Sequence, residues 1–300
     1  MSVVKIIKEL YHNLTGKEWN IGFILKSPEE ILQSDKLDVH WVKHKYKDRW
    51  FADPFILSVT EIDIVLLVEE KYHPINRGRI SKLIVDRKTM CLKECVPVLE
   101  LDTHLSFPAI FREGKSIYIY PENSEASHLK MYRYREDTNT VTLECLLSHK
   151  PLTDAVITTC FDSPCLLATN LPEPNGSVLG VYGAEEWNGV YELKYKVFFS
   201  DNTARSAGKI FKADNHFIRP AQDCNRSYGR GIVLQKVGFD NGKLTFQELK
   251  RFYPVSWRYP LGLHTLNVEG NVAVVDGLGF RKPVVGYILS RFRKIMRFSK

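Results

Sequence analysis

An all-β fold, a five-bladed β-propeller with short helical tails at both ends, is what this sequence predicts, and three observations carry the prediction. A polar cluster ending a strand-like run recurs five times, at Asp53-Pro54, Phe107-Pro108-Ala109, Thr153-Asp154-Ala155, Arg219-Pro220-Ala221 and His264-Thr265-Leu266. Counted from Asp53, Pro108, Asp154, Pro220 and His264, the gaps are 55, 46, 66 and 44 residues, the period of a propeller blade. Between the clusters lie short apolar runs separated by turn residues, and the chain is 44% hydrophobic and 12% aromatic, which suits a strand-rich, packed fold. Five blades consume nearly all of the 300 residues as one domain. Each blade is a small antiparallel sheet that cannot bury its faces alone, so blades pack radially and their innermost strands bring polar residues to a central channel.

Residues 3–14 space Val4, Ile7, Leu10, Tyr11 and Leu14 at helical intervals, so residues 1–18 are expected to hold an amphipathic helix ahead of a first strand over 19–25. The propeller is expected over 19–280. Its first blade runs from Phe51 through the apolar run 64–68 to 79–85, with a turn at Asp86-Arg87. The second runs from Ser106 through Glu113-Gly114-Lys115, a hairpin signature, to 116–120 and 129–134. The third starts at Thr153 and carries loops at 171–176 and 185–189, of the kind that often line a channel mouth. The fourth runs from Ile218 through 231–235 to a turn at Asp240-Asn241-Gly242-Lys243. The fifth, from Gly262 through 272–277, has too little text for four strands and is expected to borrow residues 19–25 as its outer strand.

Residues 281–300 form a basic amphipathic tail. They hold Arg281, Lys282, Arg291, Arg293, Lys294, Arg297 and Lys300 with no acidic residue, so the tail alone accounts for the net charge of +7. Val284, Tyr287, Ile288, Phe292, Ile295 and Met296 fall near helical spacing among them. Such a segment can lie in an anionic membrane interface, or can pack on the propeller with its basic face in water. The N-terminus lacks the features of a secretory signal, and no window approaches the ~18 apolar residues of a spanning helix. The expected location is therefore cytoplasmic, or peripheral on the inner face of the membrane, with the six cysteines reduced. Cys91/Cys95 and Cys160/Cys165 have loose spacing and no matching histidine pair, so no metal is expected. Phosphate-binding glycine loops, nucleophile elbows and nucleotide-binding βαβ units are absent, and no cofactor is expected. Outside the tail the charge is balanced, which argues against nucleic acid as a partner.

Asp53 sits among apolar neighbours, and Pro54 removes a backbone donor directly after it, as suits an inner strand facing a channel. Glu69-Glu70 close the second strand of the first blade, and Glu122 takes the corresponding place in the second, which could bring Glu70 and Glu122 toward Asp53. Paired carboxylates are what glycosyl transfer requires, one to move a proton and one to attack or stabilise an oxocarbenium-like centre. Arg219 could clamp a phosphate or carboxylate, while Gln222 and Asp223 suit sugar hydroxyls; Tyr228 follows them closely. His264 is the one histidine on an expected inner strand, and it can equally be a satisfied core histidine or a catalytic one.

The motifs 50–55 (WFADPF), Phe107-Pro108 with 120–124 (YPENS), Asp154-Ala155, 219–223 (RPAQD) with Tyr228-Gly229, and 264–267 (HTLN) resemble the five-bladed propeller module at the N-terminus of plant glucosamine inositolphosphorylceramide transferases and its bacterial relatives. The resemblance covers roughly residues 19–280. That module is similar in turn to the propellers of arabinanases, xylosidases and invertases, which place an Asp on the first blade and further acidic residues on the next blades around one pocket. The resemblance implies that Asp53 is the first-blade base or nucleophile. Where those hydrolases usually carry an Asp on the second blade, this chain has Ser106-Phe107-Pro108, so Glu122 or Asp154 would serve instead. The implied activity is a glycosyltransferase in surface glycan or glycolipid biosynthesis, taking an activated sugar donor and a glycan or lipid-linked acceptor. A glycoside hydrolase of the arabinanase or xylosidase type and a non-catalytic glycan-binding module are the alternatives.

Overall fold

A computed structural model describes residues 14–159 and 163–298. The helix expected over 3–14 lies outside the described residues except at its end, and so does Cys160. The described chain forms five four-stranded antiparallel sheets, the five blades. Blade 1 holds β3 (Arg49–Val59), β4 (Asp63–Tyr72), β5 (Arg77–Asp86) and β6 (Leu92–Leu99). Blade 2 holds β7 (Ser106–Glu113), β8 (Ser116–Glu122), β9 (Leu129–Arg135) and β10 (Thr140–Ser148). Blade 3 holds β11 (Leu152–Thr158), β12 (Cys165–Asn170), β13 (Val178–Gly183) and β14 (Glu192–Phe198).

Blade 4 consists of β15 (Phe211–Ala213), β16 (His216–Asp223), β17 (Gly231–Asp240) and β18 (Lys243–Phe252). Its first-strand position also takes in residues 202–207, where Ala207 N donates to Pro220 O at 3.0 Å and Gln222 N to Arg205 O at 2.8 Å. The blade therefore begins well before Ile218, and Arg219, Gln222 and Asp223 lie on its second strand, not on the innermost one expected for them. Blade 5 joins both ends of the described chain in the order β19 (Leu266–Glu269), β20 (Val272–Phe280), β1 (Lys17–Ile24) and β2 (His40–Trp41). The borrowed strand is the third of the blade, in register from Lys17 opposite Phe280 to Ile24 opposite Ala273. Between β1 and β2 a short helix, α1 (Pro28–Gln33), is capped reciprocally by Ser27 and Glu30. The tail forms a second helix, α2 (Pro283–Phe298).

The recurring polar cluster has a backbone cause. Asp53, Phe107 and Asp154 adopt positive φ of 49°, 43° and 45°. At each one the innermost strand skips register against its neighbour, between Ala52 and Phe55, Ser106 and Ala109, and Thr153 and Val156. Blades 1 to 3 thus open with a bulge held in the left-handed region, which costs on the order of 1–3 kcal/mol per residue and persists only where the surroundings impose it.

The core lies in the gaps between blades. Phe55, Leu67, Phe107, Ile119, Val156 and Leu166 belong to one cluster spanning blades 1 to 3. Leu179, Val237 and Leu244 fill the seam between blades 3 and 4; Ile24, Leu234 and Leu266 that between 4 and 5; Phe23, Phe51 and Val274 that between 5 and 1. Of the two long loops of blade 3, the one around 184–191 packs Trp187 onto Phe111 and Tyr118 of blade 2, at 5.1 and 4.7 Å between rings, and so completes a seam.

Candidate active site

In every blade the second strand runs toward the same end of the propeller, and register fixes which of its side chains reaches the channel. Ala52 pairs with Glu69 in blade 1, and Ser106 pairs with Glu122 in blade 2, so Glu69 rather than Glu70 is the counterpart of Glu122. Thr169, opposite Thr153, takes that place in blade 3, and Gln222, bonded to Arg205, takes it in blade 4. Asp276 takes it in blade 5, one residue beyond the Leu266–Val275 pair.

These second-strand groups hold the strained bulges of the next blade. Asp276 Oδ2 accepts the backbone N–H of Asp53 at 3.0 Å, and Glu122 Oε2 accepts that of Asp154 at 3.0 Å. Asp53 Oδ2 in turn accepts Phe107 N at 3.0 Å. A donor left exposed by a bulge and buried without a partner would cost about 1–3 kcal/mol, so each acid has a structural duty besides any chemical one.

Two groupings result. In the first, His264 Nδ1 lies 2.6 Å from Asp276 Oδ2, and its Nε2 lies 3.5 Å from Asp53 Oδ1. Thr265 Oγ1 donates to Asp53 Oδ1 at 2.9 Å, while His264 N and Thr265 N both donate to Asp276 Oδ1. Trp19 stacks on His264 with ring centroids 3.9 Å apart. Asp53, His264 and Asp276 are also the residues that could gather around a cation, one ligand atom from each lying within 4.8 Å of the others, but a cation would displace hydrogen bonds they already make.

In the second grouping Arg205 binds Asp154 through Nε at 2.5 Å and stands 3.7 Å from Glu122 Oε2. Gln222 Nε2 donates to Asp154 Oδ2 at 2.7 Å. Tyr228 joins the two groupings: its ring lies under the Arg205 guanidinium at 4.7 Å and meets His264 edge-on at 5.3 Å. Tyr228 is 42% exposed, whereas Asp53 and Asp154 beneath are 4% and 2% exposed, so tyrosine and arginine together cap the acids.

Burial, reinforced by Glu69, Asp154 and Asp276 and opposed by His264, raises the Asp53 carboxyl to about 7. Burial and then the neighbouring Asp154 push Glu122 well above the usual carboxylate range, with Arg205 opposing. Burial alone would lower the His264 imidazole, but Asp276 and Asp53 outweigh it and raise the group to about 9. The site therefore combines a carboxyl poised near neutrality, a buried acid whose proton is held more tightly than usual and an imidazolium, groups able to hold and move protons.

The structure thus brings Asp53, Glu122, Asp154, Gln222, Tyr228 and His264 to one channel, and it directs three expected residues elsewhere. Glu70 shares a face of β4 with Leu66 and Val68, on the side of blade 5, and is taken up by Arg49 at 2.7 Å and Arg79 at 2.9 Å. Asp223 accepts from Arg251 at 3.0 Å and Tyr253 at 2.7 Å, tying β16 to β18 and the loop after it. Arg219 is enclosed between blades 3 and 4 near the rings of Phe199 and Phe246, donating to Ala204 O and to Gln235 Oε1. Burial lowers its guanidinium to about 9, still protonated at neutral pH. Sequence reasoning missed Arg205, Thr265 and Asp276. Of these only Thr265 sat inside a recognised cluster; Asp276 closes the apolar run 272–275, just as Glu69 closes 64–68, and that parallel is the signal that could have found it. Among the described residues, the roomier surface cavities, 580 Å³ beside Tyr182, Tyr195 and Phe239 and 330 Å³ beside Ile117, Arg133 and Tyr134, hold no grouping of buried acids.

Comparison with known proteins agrees with this architecture. Residues 39–256 match the family model described as glucosamine inositolphosphorylceramide transferase 1, N-terminal. Glucosamine inositolphosphorylceramide transferase 1 of Oryza sativa subsp. indica is 31% identical over 219 residues, which cover 68% of this chain and 28% of that protein. The chain thus corresponds to little more than a quarter of its rice relative's length. Among solved structures, a β-1,3-galactosidase of glycoside hydrolase family 43 superposes with a TM-score of 0.53 at 11% identity, covering 77% of this chain and 56% of that one. An exo-1,5-α-L-arabinanase from a bovine ruminal metagenomic library gives 0.50 at 13% identity, over 69% and 80% of the two chains. At such identities the likeness speaks for the shared fold. The match to the family model, extending over blades 1 to 4, does more: this chain belongs to the family of the N-terminal part of glucosamine inositolphosphorylceramide transferase 1.

Proposed function

We propose that the propeller is a carbohydrate-active enzyme of the glycosyltransferase class, passing a sugar from an activated donor to a glycan or lipid-linked acceptor. The observation that carries this reading is the pair of buried carboxyls on adjacent blades of one channel, Asp53 raised to about 7 and Glu122 raised well above its usual value. In this reading Asp53 exchanges the proton of the attacking hydroxyl or stabilises the sugar's positive centre. Glu122 delivers a proton to the departing group. Arg205, cationic between Glu122 and Asp154, favours a donor bearing phosphate, and the capping ring of Tyr228 offers a stacking face to a sugar. The name of the rice relative supports transfer over hydrolysis.

A second reading, a non-catalytic glycan-binding module, is favoured by one specific observation: the channel acids are already engaged, Asp53 by Phe107 and Thr265 and Asp154 by Arg205 and Gln222. The experiment that separates the two is thermal shift and turnover with nucleotide-activated and phosphate-linked sugars, using wild type, Asp53→Asn and Glu122→Gln. Transfer requires a donor that stabilises all three proteins but is consumed only by wild type. Binding of free oligosaccharides, with no donor consumed by any of them, establishes the binding module instead, and release of sugar to water in place of an acceptor establishes a hydrolase.

A further inference from the structure

We propose that the end of the propeller bearing the channel mouth docks on an anionic lipid surface through α2 and the loop over residues 253–259. The placement follows from strand direction. Glu122, Thr169 and Gln222 lie in the last two residues of their second strands, and Glu69 and Asp276 lie three and four residues before the ends of theirs, so whatever follows those strands emerges at the end of the propeller bearing the channel mouth. After β16 this is the loop carrying Tyr228; after β20 it is α2.

The helix turns its apolar side away from the protein. Gly286 is buried, and a Cβ placed on it would fall 2.5 Å from the Phe280 ring, so α2 meets the propeller along its glycine edge. Val284, Tyr287 and Ile288 remain 64%, 44% and 48% exposed. The 3.6-residue spacing places positions 292, 295 and 296 on the same arc as Val284, Val285, Ile288 and Leu289, and positions 293, 294 and 297, all basic, outside it. Beside the root of this helix lies the 253–259 loop, tied to it where Arg258 Nη1 donates to Phe280 O. That loop exposes Val255 at 63% and Trp257 at 75%.

An aliphatic arc, an exposed tryptophan and a dense positive charge are the parts of an interfacial anchor: the apolar face enters the boundary between headgroups and acyl chains, and the cations meet lipid phosphates. Residues 281–300 carry seven Lys or Arg and no acid, which fits an anionic surface and disfavours a second copy of the chain, whose equal charge would be juxtaposed. No helix among the described residues is long and apolar enough to cross a membrane, so the attachment is of the surface-lying kind. Such docking turns the channel toward the lipid phase. It does not depend on any turnover in that channel.

The test is co-sedimentation of the full chain with vesicles of phosphatidylcholine alone or mixed with phosphatidylglycerol, without any sugar present. Wild type is expected to sediment with the anionic vesicles only, and less so at high salt. The double variant Val284→Asp/Ile288→Asp should bind at least ~10-fold more weakly and Trp257→Ala several-fold more weakly, both with unchanged melting temperature. Equal binding to neutral vesicles, absence of binding to anionic ones, or wild-type binding by the double variant overturns the proposal. So does a wild-type dimer that the double variant converts to a monomer, which would assign the arc to a second copy. A marked fall in the double variant's melting temperature without vesicle binding would assign it to a segment of the same chain and overturn the proposal as well.

Discussion

His264 Nδ1 lies 2.6 Å from Asp276 Oδ2, and the same carboxylate holds the backbone N–H of Asp53 on the neighbouring blade, so one acid joins the imidazole of blade 5 to the strained bulge of blade 1. The bond makes the propeller's stability depend on pH. His264, raised to about 9 in the folded state, adds stability that is complete below its ordinary value of ~6.5 and is lost as pH climbs through 9. Asp53, raised to about 7 from an ordinary ~3.9, has the same sign at lower pH: its contribution is complete in acid and is lost as pH rises through 7.

The first prediction follows directly. Thermal melting followed from pH 5 to 9 should show a falling melting temperature across the series, by several degrees in all. In His264→Gln the slope between pH 7 and 9 should flatten. A curve that rises over this interval would contradict the ion pair.

Arg205 is nearly buried, and its removal leaves Asp154 beside Glu122 without a cation, held only by neutral Gln222 and the neighbouring carboxyl. Arg205→Ala should therefore cost about 3–5 kcal/mol in guanidinium unfolding, the usual penalty for orphaning one side of a buried pair. The double variant Arg205→Ala/Asp154→Asn should recover much of that loss.

Arg219 separates structure from chemistry. Its guanidinium serves Ala204 O, Gln235 Oε1 and Ser206 Oγ inside the seam between blades 3 and 4. Arg219→Met should lower unfolding stability by about 2–4 kcal/mol through the groups left without a donor. Binding of any sugar ligand, followed by calorimetry, should keep its wild-type affinity; a large loss would return Arg219 to the site.

Gly229 has a φ of +59°, and a Cβ there would stand 2.9 Å from the Cβ of His264. Gly229→Ala should cost about 1–3 kcal/mol and push the imidazole off Trp19 and Asp276. Nitrogen-detected NMR titration of His264 should then show its pKa falling from about 9 toward the ordinary value.

How far the text alone could be read depended on whether a backbone event left a mark in it. The bulges at Asp53, Phe107 and Asp154 did, because a residue at positive φ flanked by proline or alanine recurs at blade spacing. Arg219-Pro220-Ala221 carries the same spelling without the bulge; it pairs in continuous register with β17, which is why it belongs to a second strand. The true first strand of blade 4, around 202–207, has neither a long apolar run nor an alternation to betray it. The exchange of Glu69 for Glu70 has a different origin. Leu66, Leu67 and Val68 are all fully buried, one side against blade 5 and the other against blade 2, so β4 offers no polar and apolar alternation from which parity could be counted. Asp276 was hidden for the related reason that its run, 272–275, is buried throughout.

The composite fifth blade gives the molecule a direction in time. β1 emerges from the ribosome more than two hundred residues before β20, the strand it must lie against from Lys17–Phe280 to Ile24–Ala273. Through most of synthesis the edge of β1 that β20 will cover stays open, and Ile21, Phe23 and Ile24 have only β2, the α1 region and blade 1 to pack against, while blades 1 to 4 can each assemble from contiguous segments as they appear. Among the described strands, ring closure is thus the most non-local pairing, and until it occurs the open edge of β1 is the one that most needs protection from aggregation.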